Sequence, residues 1–189
     1  MAEEAPFEPP TAGEGKSSVK EFLEREDEDE SVRKWKESLL GDAAQDNAAA
    51  SPPDDKRLVI PQEFKVVIED GQTFTYNLQT PEGLAQLQKG YDLKEGCTFH
   101  YELTFLVHHD IVLGIKLRTK SKKAIKSTEA VFDIGSYPPT VAPIVKVMED
   151  CECPSGTMIR GSYKAQCSIE DDMGRTHFKF EMKFNIVKA

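Results

Sequence analysis

Apolar and polar side chains alternate along most of the chain after residue 57, and this period of two constrains the fold more than any other feature. Successive side chains of a β-strand point to opposite faces of a sheet, so the alternation predicts strands with one buried face. The clearest run is Phe178, Phe180, Met182, Phe184 and Ile186. From residue 57 onward the pattern therefore favours a sheet protein.

Comparable runs recur at short intervals, separated by typical turn sequences such as Asp70-Gly71 and Glu95-Gly96. The alternation in one of them predicts that Ile111, Leu113, Ile115 and Leu117 share the buried face. The predicted strands cover about 64–69, 74–78, 99–107, 111–117, 129–134, 144–149, 159–169 and 178–186. This pattern predicts an all-β fold, an immunoglobulin-like antiparallel β-sandwich, in which only Pro81 to Lys89 has the character of a helical turn.

The first 56 residues differ sharply from the rest in charge. They hold 16 acidic and 7 basic residues, a net charge of −9 that equals that of the whole chain, so 57–189 is neutral. Their Pro-, Gly- and Ala-rich parts, 1–16 and 42–56, are expected to be mobile. Between them, a capping box at Ser18 and apolar residues at helical spacing predict two short helices within about 18–41. We expect an acidic arm over 1–56 that orders on a partner, and a folded domain over 57–189.

Several functional classes do not fit this sequence. A neutral domain with an acidic arm lacks the cationic face that nucleic acids require, and no apolar run is long enough for stable insertion into a membrane. Neither a signal peptide nor a prenylation cysteine is evident, so we expect a cytoplasmic protein with reduced cysteines. We expect no metal and no cofactor, because Cys151-x-Cys153 is too closely spaced for a zinc site.

The sequence also lacks the motifs of common catalytic sites, which indicates that the protein is not an enzyme. The four histidines support this interpretation. His108 and His109 end a strand and are expected to be solvated there. His100 and His177 occupy polar positions of their strands and are expected to be exposed.

The buried faces of the predicted strands are rich in aromatic residues, and this pattern has two interpretations. One is ordinary packing between two sheets. The other is an apolar ligand held between sheets that separate at one end. Composition and periodicity leave both open. The residues concerned are Phe99, Tyr101, Phe105, Tyr163, Phe178, Phe180 and Phe184.

Five segments of the chain, in the order of the family, resemble Rho GDP-dissociation inhibitors over about residues 16 to 187. They are Asp27–Gly41, Leu93–Gly96, Asp110–Gly114, Gly135–Tyr137 and Arg160–Tyr163. The resemblance implies a protein that binds prenylated, GDP-bound GTPases of the Rho, Rac and Cdc42 type as a 1:1 heterodimer. It would slow GDP release, extract the GTPase from membranes and keep it soluble in the cytosol.

The resemblance also implies where two binding sites lie. GTPase contacts would come from the arm and from an acidic turn, through Asp29, Glu30, Trp35, Leu39, Leu40, Asp171 and Asp172. A geranylgeranyl group would occupy a slot lined by Tyr91, Tyr101, Leu103, Ile111, Ile115, Ala165 and Met182. Ile111 follows the turn at His108-His109, so we expect it at the mouth of the slot. Ser18 and Ser162 match serines that relatives use for phosphorylation.

Two alternative functions stay open on the sequence. One is a general carrier of prenyl or acyl cargo built on the same sandwich, although the arm with its two predicted helices argues against it. The other is a structural interaction domain that binds no lipid. Extraction of prenylated GTPases from liposomes distinguishes all three.

Overall fold

The computed structural model describes residues 7–11, 34 and 50–189. The predicted arm helices lie outside these residues. So do six of the predicted site residues: Ser18, Asp29, Glu30, Trp35, Leu39 and Leu40. The elements are β1 (Val59–Ile68), β2 (Thr73–Asn77), α1 (Pro81–Lys89), β3 (Tyr91–Lys94), β4 (Thr98–Val107), β5 (Val112–Lys123), β6 (Lys126–Tyr137), β7 (Ile144–Val147), β8 (Cys151–Glu152), β9 (Gly161–Glu170) and β10 (Thr176–Val187). No helix in the described part of the chain is long and apolar enough to cross a membrane.

The strands form two sheets. Sheet 1 has the order β2-β1-β4-β7, and β8 also pairs with β4. Sheet 2 has the order β3-β10-β9-β5-β6. Neighbouring strands are antiparallel except β3 and β10, which run parallel. The predicted all-β class is therefore confirmed, with one parallel pair that the alternation did not indicate.

Aromatic contacts show that the two sheets pack face to face. The ring of Phe64 on β1 lies 5.3 Å from that of Phe180 on β10. Tyr101 on β4 meets Phe132 on β6 edge-on, with 5.5 Å between ring centroids. These contacts cross from sheet 1 to sheet 2, as expected for a sandwich whose inward faces interdigitate. The predicted core stripes thus form the interior.

The single helix of the described sandwich covers the stretch, Pro81 to Lys89, in which the sequence predicts a helical turn. Thr80 caps its start, because the Thr80 Oγ1 accepts a hydrogen bond from the Gly83 amide at 3.2 Å. Proline in the first turn lacks the amide hydrogen that a helix start leaves unpaired, so it is tolerated there. Leu87 is fully buried under the helix. The helix closes the crossover from β2 to β3.

A β-bulge changes the predicted buried face of β5. The register with β6 shifts between Val112 and Ile115. Val112 therefore joins the contiguous core with Ile115 and Leu117. Ile111 and Leu113 are buried but lie outside that core. An extra residue in one strand reverses the faces on either side of it, which the simple alternation did not indicate.

A second bulge accounts for a wrong prediction about His177. The pairing of β10 with β9 shifts between Thr176 and Phe178, and His177 is only 1% exposed instead of solvated. His108 is also buried, at 8% exposure, because the residues before β1 cover the end of β4. Its amide donates to the Leu58 carbonyl oxygen at 2.9 Å. The prediction of a solvated strand end is therefore wrong for His108.

Parts of the predicted mobile segments contact the sandwich. Thr11 forms an isolated β-bridge with Arg57, and the ring of Phe7 lies 5.3 Å from the Lys179 Nζ. At the other end of the arm, Ser51 Oγ accepts a hydrogen bond from the His109 amide at 2.9 Å. Residues 7–11 and 50–56 therefore lie against the sandwich.

Phe64 provides a direct test of the interior packing. It is fully enclosed and contacts Tyr101 in its own sheet and Phe180 in sheet 2. Phe64→Ala therefore removes contacts within sheet 1 and across the interior. We expect the free energy of unfolding to fall by about 4 kcal/mol. Urea titration measures this change. The matched control Val145→Ala, at a side chain that is 57% exposed, should change it by less than about 0.5 kcal/mol. Equal losses in the two variants would contradict the assigned core.

Candidate functional site

The seven residues predicted to line an apolar slot come from both sheets and point into the interior. None is more than 6% exposed. Sheet 1 contributes through β4, and sheet 2 contributes through β3, β5, β9 and β10, while Ile111 directly precedes β5. The residues are Tyr91, Tyr101, Leu103, Ile111, Ile115, Ala165 and Met182. The structure thus gathers side chains from positions far apart in sequence.

Four of them form a continuous group. Met182 pairs with Ala165 across β10 and β9, and the Tyr91 hydroxyl lies 3.8 Å from the Met182 Sδ. The Tyr101 hydroxyl is close to that of Tyr91, and each tyrosine influences the pKa of the other. Burial raises the pKa of both phenols well above the ordinary value, so both stay neutral. The group presents apolar surface with two neutral hydroxyls, which suits a hydrocarbon ligand better than a charged one.

The interior is filled by its own side chains in this conformation. Leu103, Ile115 and Met182 are completely enclosed, and protein interiors pack almost without voids. A ligand between the sheets therefore requires them to move apart. Rotation of flexible Met182 and of the aromatic rings is the least costly way to make that space, because methionine adapts readily to irregular gaps.

The end of the sandwich near Ile111 has an irregular backbone. His109 has a φ of 63° and Gly114 a φ of 59°, both in the left-handed region. The Gly114 amide donates to Ser136 Oγ at 2.9 Å, which fixes the bulge against β6. Ile111 lies between these two turns, is buried, and is absent from the contiguous core. This arrangement supports the expected position of Ile111 at one end of the slot.

Asp171, in the turn between β9 and β10, is a buried anchor. Its Oδ1 accepts hydrogen bonds from the amides of Met173 and Arg175, both at 3.0 Å. Its Oδ2 accepts from Arg175 Nε at 2.7 Å and from His177 Nε2 at 2.8 Å. Burial alone raises the pKa of Asp171, but hydrogen bonds from His177 and Arg175 hold it below its ordinary value. The carboxylate therefore remains ionised and organises the turn.

This burial corrects the expectation that both acids of the turn face a partner. The Asp171 side chain has no exposed surface, so it offers no direct contact in this conformation. The Asp172 side chain is 54% exposed and pairs with Lys116 Nζ at 2.7 Å. Its amide donates to the Leu113 carbonyl oxygen at 3.0 Å. Asp172 is thus the acid that this turn presents at the surface.

Gly114, near the start of β5, packs directly against this turn, a role that the sequence did not indicate. A Cβ at Gly114 would stand 1.9 Å from the nearest carboxylate oxygen of Asp172, so any other residue would displace that acid. Arg175 and His177 were missed as well, although the order of Asp171, Arg175 and His177 around a hairpin places them within reach of one another. A search for opposite charges across predicted turns would find Arg175.

The remaining predicted residues have simpler surroundings. Ser162 is exposed on β9, and its Oγ lies 2.6 Å from Asn185 Oδ1. All four cysteines are free. Within residues 7–11, 34 and 50–189, no group of three or more His, Cys, Asp or Glu side chains is arranged to hold a metal ion. Glu95 and Arg160 form a surface pair at 2.5 Å, and the arginine lowers the pKa of Glu95 to about 2.

Comparisons with known proteins identify close similarity along almost the whole chain. A family model described as RHO protein GDP dissociation inhibitor matches residues 3–189. The putative Rho GDP-dissociation inhibitor 1 of Dictyostelium discoideum is 35% identical over 174 residues, which are 89% of this chain and 86% of that protein. The Rho GDP-dissociation inhibitor of Saccharomyces cerevisiae is 31% identical over 179 residues, with coverage of 92% and 88%. That of Schizosaccharomyces pombe is 29% identical over 183 residues, with coverage of 96% and 87%.

Proposed function

The chain belongs to the Rho GDP-dissociation inhibitor family, and from this premise we propose that it holds the prenyl group of a Rho GTPase between its two sheets. Membership makes it a Rho GDP-dissociation inhibitor, a regulator whose partners are Rho GTPases. The observation that supports the prenyl site is the convergence of Tyr91, Tyr101, Ala165 and Met182 in one buried group. The same sandwich then serves to extract the GTPase and keep it in the cytosol.

The energetics require a second contact besides the slot. A geranylgeranyl group has about twenty carbons, and transfer from water gains roughly 0.8 kcal/mol per carbon, on the order of 15 kcal/mol at most. The bilayer offers the same gain, so an apolar slot only matches the membrane. Net extraction must come from contacts with the GTPase itself. In a 1:1 heterodimer the protein surface supplies that difference.

We assign the second contact to the acidic arm together with Asp172. In this proposal Asp29, Glu30, Trp35, Leu39 and Leu40 bind the switch regions of the GDP-bound GTPase, and this contact slows GDP release. The end of the arm supports the arrangement, because His109 Nε2 lies 2.5 Å from the Asp55 carbonyl oxygen, next to the turn that precedes Ile111. The arm therefore joins the sandwich beside the expected mouth of the slot. Ser18 and Ser162 remain predicted phosphorylation sites.

Extraction from liposomes tests this function. We expect the full-length protein to release prenylated Rac, Rho or Cdc42 from liposomes and to slow their GDP release. A variant without residues 1–56 should still bind the prenyl group but lose most of the inhibition of GDP release. Sedimentation of the liposomes and fluorescence of a labelled nucleotide measure the two effects.

Three outcomes would contradict the proposal. Equal extraction of an unrelated prenylated protein would favour a general prenyl carrier, and failure to extract any prenylated protein would favour a structural domain. Full inhibition of GDP release by the variant without the arm would disprove the division of roles. Unprenylated GTPase serves as the control, since it keeps the arm contacts and lacks the lipid.

A further inference from the structure

The hairpin between β5 and β6 ends in an unusually exposed apolar residue. Ile125 is 96% exposed, and Met158 is 89% exposed, more than any other large hydrophobic residue described. The two loops are adjacent, because Lys123 Nζ donates hydrogen bonds to the carbonyl oxygens of Met158 and Arg160 at 2.8 and 2.5 Å. Apolar side chains exposed together within a polar rim are typical of interaction surfaces.

A row of three lysines crosses sheet 2 next to this hairpin. Lys122 on β5 lies opposite Lys164 on β9, and Lys164 lies opposite Lys183 on β10. All three side chains are exposed. Among the described residues, none of the three has a carboxylate within ion-pair distance, whereas Lys116 and Lys120 each have one. Like charges directly opposite each other destabilise a sheet, so an anionic ligand would relieve this repulsion.

The row and the apolar tip meet at the end of the β5–β6 hairpin. Lys122 precedes Ile125 by three residues, and the exposed Lys126 follows it directly. The row lysines also line a surface depression with Gln88 and Ser127. One acid, Glu181, also lines the depression, two residues before Lys183. Nearby Glu129 is paired with Arg118 and Lys120. We call the set Lys122, Ile125, Lys126, Met158, Lys164 and Lys183 the basic tip.

We propose that the basic tip docks on anionic lipid headgroups at a bilayer surface, with Ile125 and Met158 in the interfacial region. Strands lie about 4.8 Å apart, so the row presents three ammonium groups across roughly 10 Å of flat surface. A planar array of headgroups matches that geometry, and exposed apolar side chains beside lysines add a gain that only a bilayer interface provides. The proposal goes beyond GTPase inhibition and needs neither a GTPase nor a prenyl group.

The position of the row suits work at a membrane. Lys164 and Lys183 are the immediate neighbours of Ala165 and Met182, whose side chains point the other way, into the interior. Docking through the row would therefore hold the strands that carry these two slot residues next to the lipid surface. The negative arm opposes such docking at long range, so the contact depends on short-range lysine–headgroup pairs and on the apolar tip.

Vesicle sedimentation with the full-length protein alone tests the proposal. We expect binding to phosphatidylcholine vesicles that contain phosphatidylserine, weaker binding at high salt, and none to phosphatidylcholine alone. Each lysine near an anionic surface contributes about a fivefold change in affinity, so the triple variant Lys122→Gln, Lys164→Gln, Lys183→Gln should bind on the order of 100-fold more weakly. The variant Ile125→Ser, Met158→Ser should bind several-fold more weakly even at high salt.

Matched controls separate the basic tip from general charge effects. Lys65→Gln, Lys94→Gln, Lys146→Gln removes the same charge on sheet 1 or next to its β1–β2 turn, where Lys94 pairs with Asp70. Val141→Ser, Val145→Ser alters exposed apolar residues elsewhere. Both should bind vesicles like the unaltered protein. Failure of the unaltered protein to bind anionic vesicles at low salt would overturn the proposal, as would equal losses in the control variants. Inhibition of GDP release from an unprenylated GTPase should be unchanged in all variants, which keeps this result distinct from the proposed function.

Discussion

Asp171→Asn is expected to lower the free energy of unfolding by about 3 kcal/mol, which corresponds to a Tm about 10 °C lower. The amide would keep an oxygen for the two backbone donors of the turn. Its NH₂ group, however, would face Arg175 Nε and His177 Nε2, which donate to Asp171 Oδ2 in the native protein. The side chains of Arg175 and His177 are 14% and 1% exposed, so water replaces the lost acceptor poorly. Thermal and urea unfolding measure the loss.

Asp172→Asn is the matched control for this prediction. Asp172 is the next residue, its side chain is 54% exposed, and its ion pair with Lys116 is a surface pair, which contributes about 0–1 kcal/mol. We expect almost unchanged stability and weaker affinity for an unprenylated Rho GTPase. Equal destabilisation by the two substitutions would show that Asp171 is not the anchor of the turn.

The pH dependence of unfolding gives a second measure of the same anchor. The folded protein holds the pKa of Asp171 below the ordinary value of 3.8. Its contribution to stability is therefore complete above the unfolded-state value and is lost as the pH falls through the folded-state value. The stability difference between the native protein and Asp171→Asn should be full at neutral pH and shrink below about pH 4. A difference that stays constant down to the acid limit would contradict this assignment.

Ile111→Asp is expected to reduce extraction of prenylated Rac from liposomes by at least about tenfold, because a carboxylate against hydrocarbon is costly. Affinity for unprenylated Rac should be nearly unchanged. Ile111 is 5% exposed but outside the contiguous core, so we expect its Tm to fall by less than about 8 °C. The measurement pairs liposome extraction with thermal unfolding of the free variant.

The neighbouring residue provides the control. Val112 is fully enclosed and belongs to the contiguous core, so Val112→Asp should unfold the sandwich. A Tm loss above about 8 °C for Ile111→Asp would place Ile111 in the core instead of at the mouth of the slot. Normal melting with normal extraction would show that the prenyl group does not pass this residue.

Much of the sandwich follows from the sequence because the alternation of side chains is a local property of each strand. The stripe from Phe178 to Ile186 corresponds to β10, and the turns predicted at Gly71 and Gly96 have backbone φ values of 92° and 74°. Glycine adopts a positive φ with almost no energetic penalty, whereas other residues do so at a cost. Such turns can therefore be predicted from glycine in the sequence. The charge break near residue 57 likewise precedes β1, which begins at Val59.

The proposed slot rests on the family resemblance and on the fold, and not on composition. Aromatic stripes are equally compatible with a solid core and with a ligand site, since both bury the same residue types. Only the pairing of β9 with β10 brings Ala165 to Met182, and only the packing of the sheets brings Tyr101 to Tyr91.

Charge, periodicity and turn residues in the sequence determined the all-β class, the positions of most strands and the concentration of negative charge in residues 1–56. The tertiary structure alone decided which face each residue takes at the bulges near Val112 and His177, because a bulge depends on the partner strand. It also decided that Asp171 is buried while Asp172 is exposed, since that depends on donors four and six residues away. The pairing register of three strands also decided that the lysine row on sheet 2 forms. Its three lysines are far apart in sequence, and strand pairing brings them side by side.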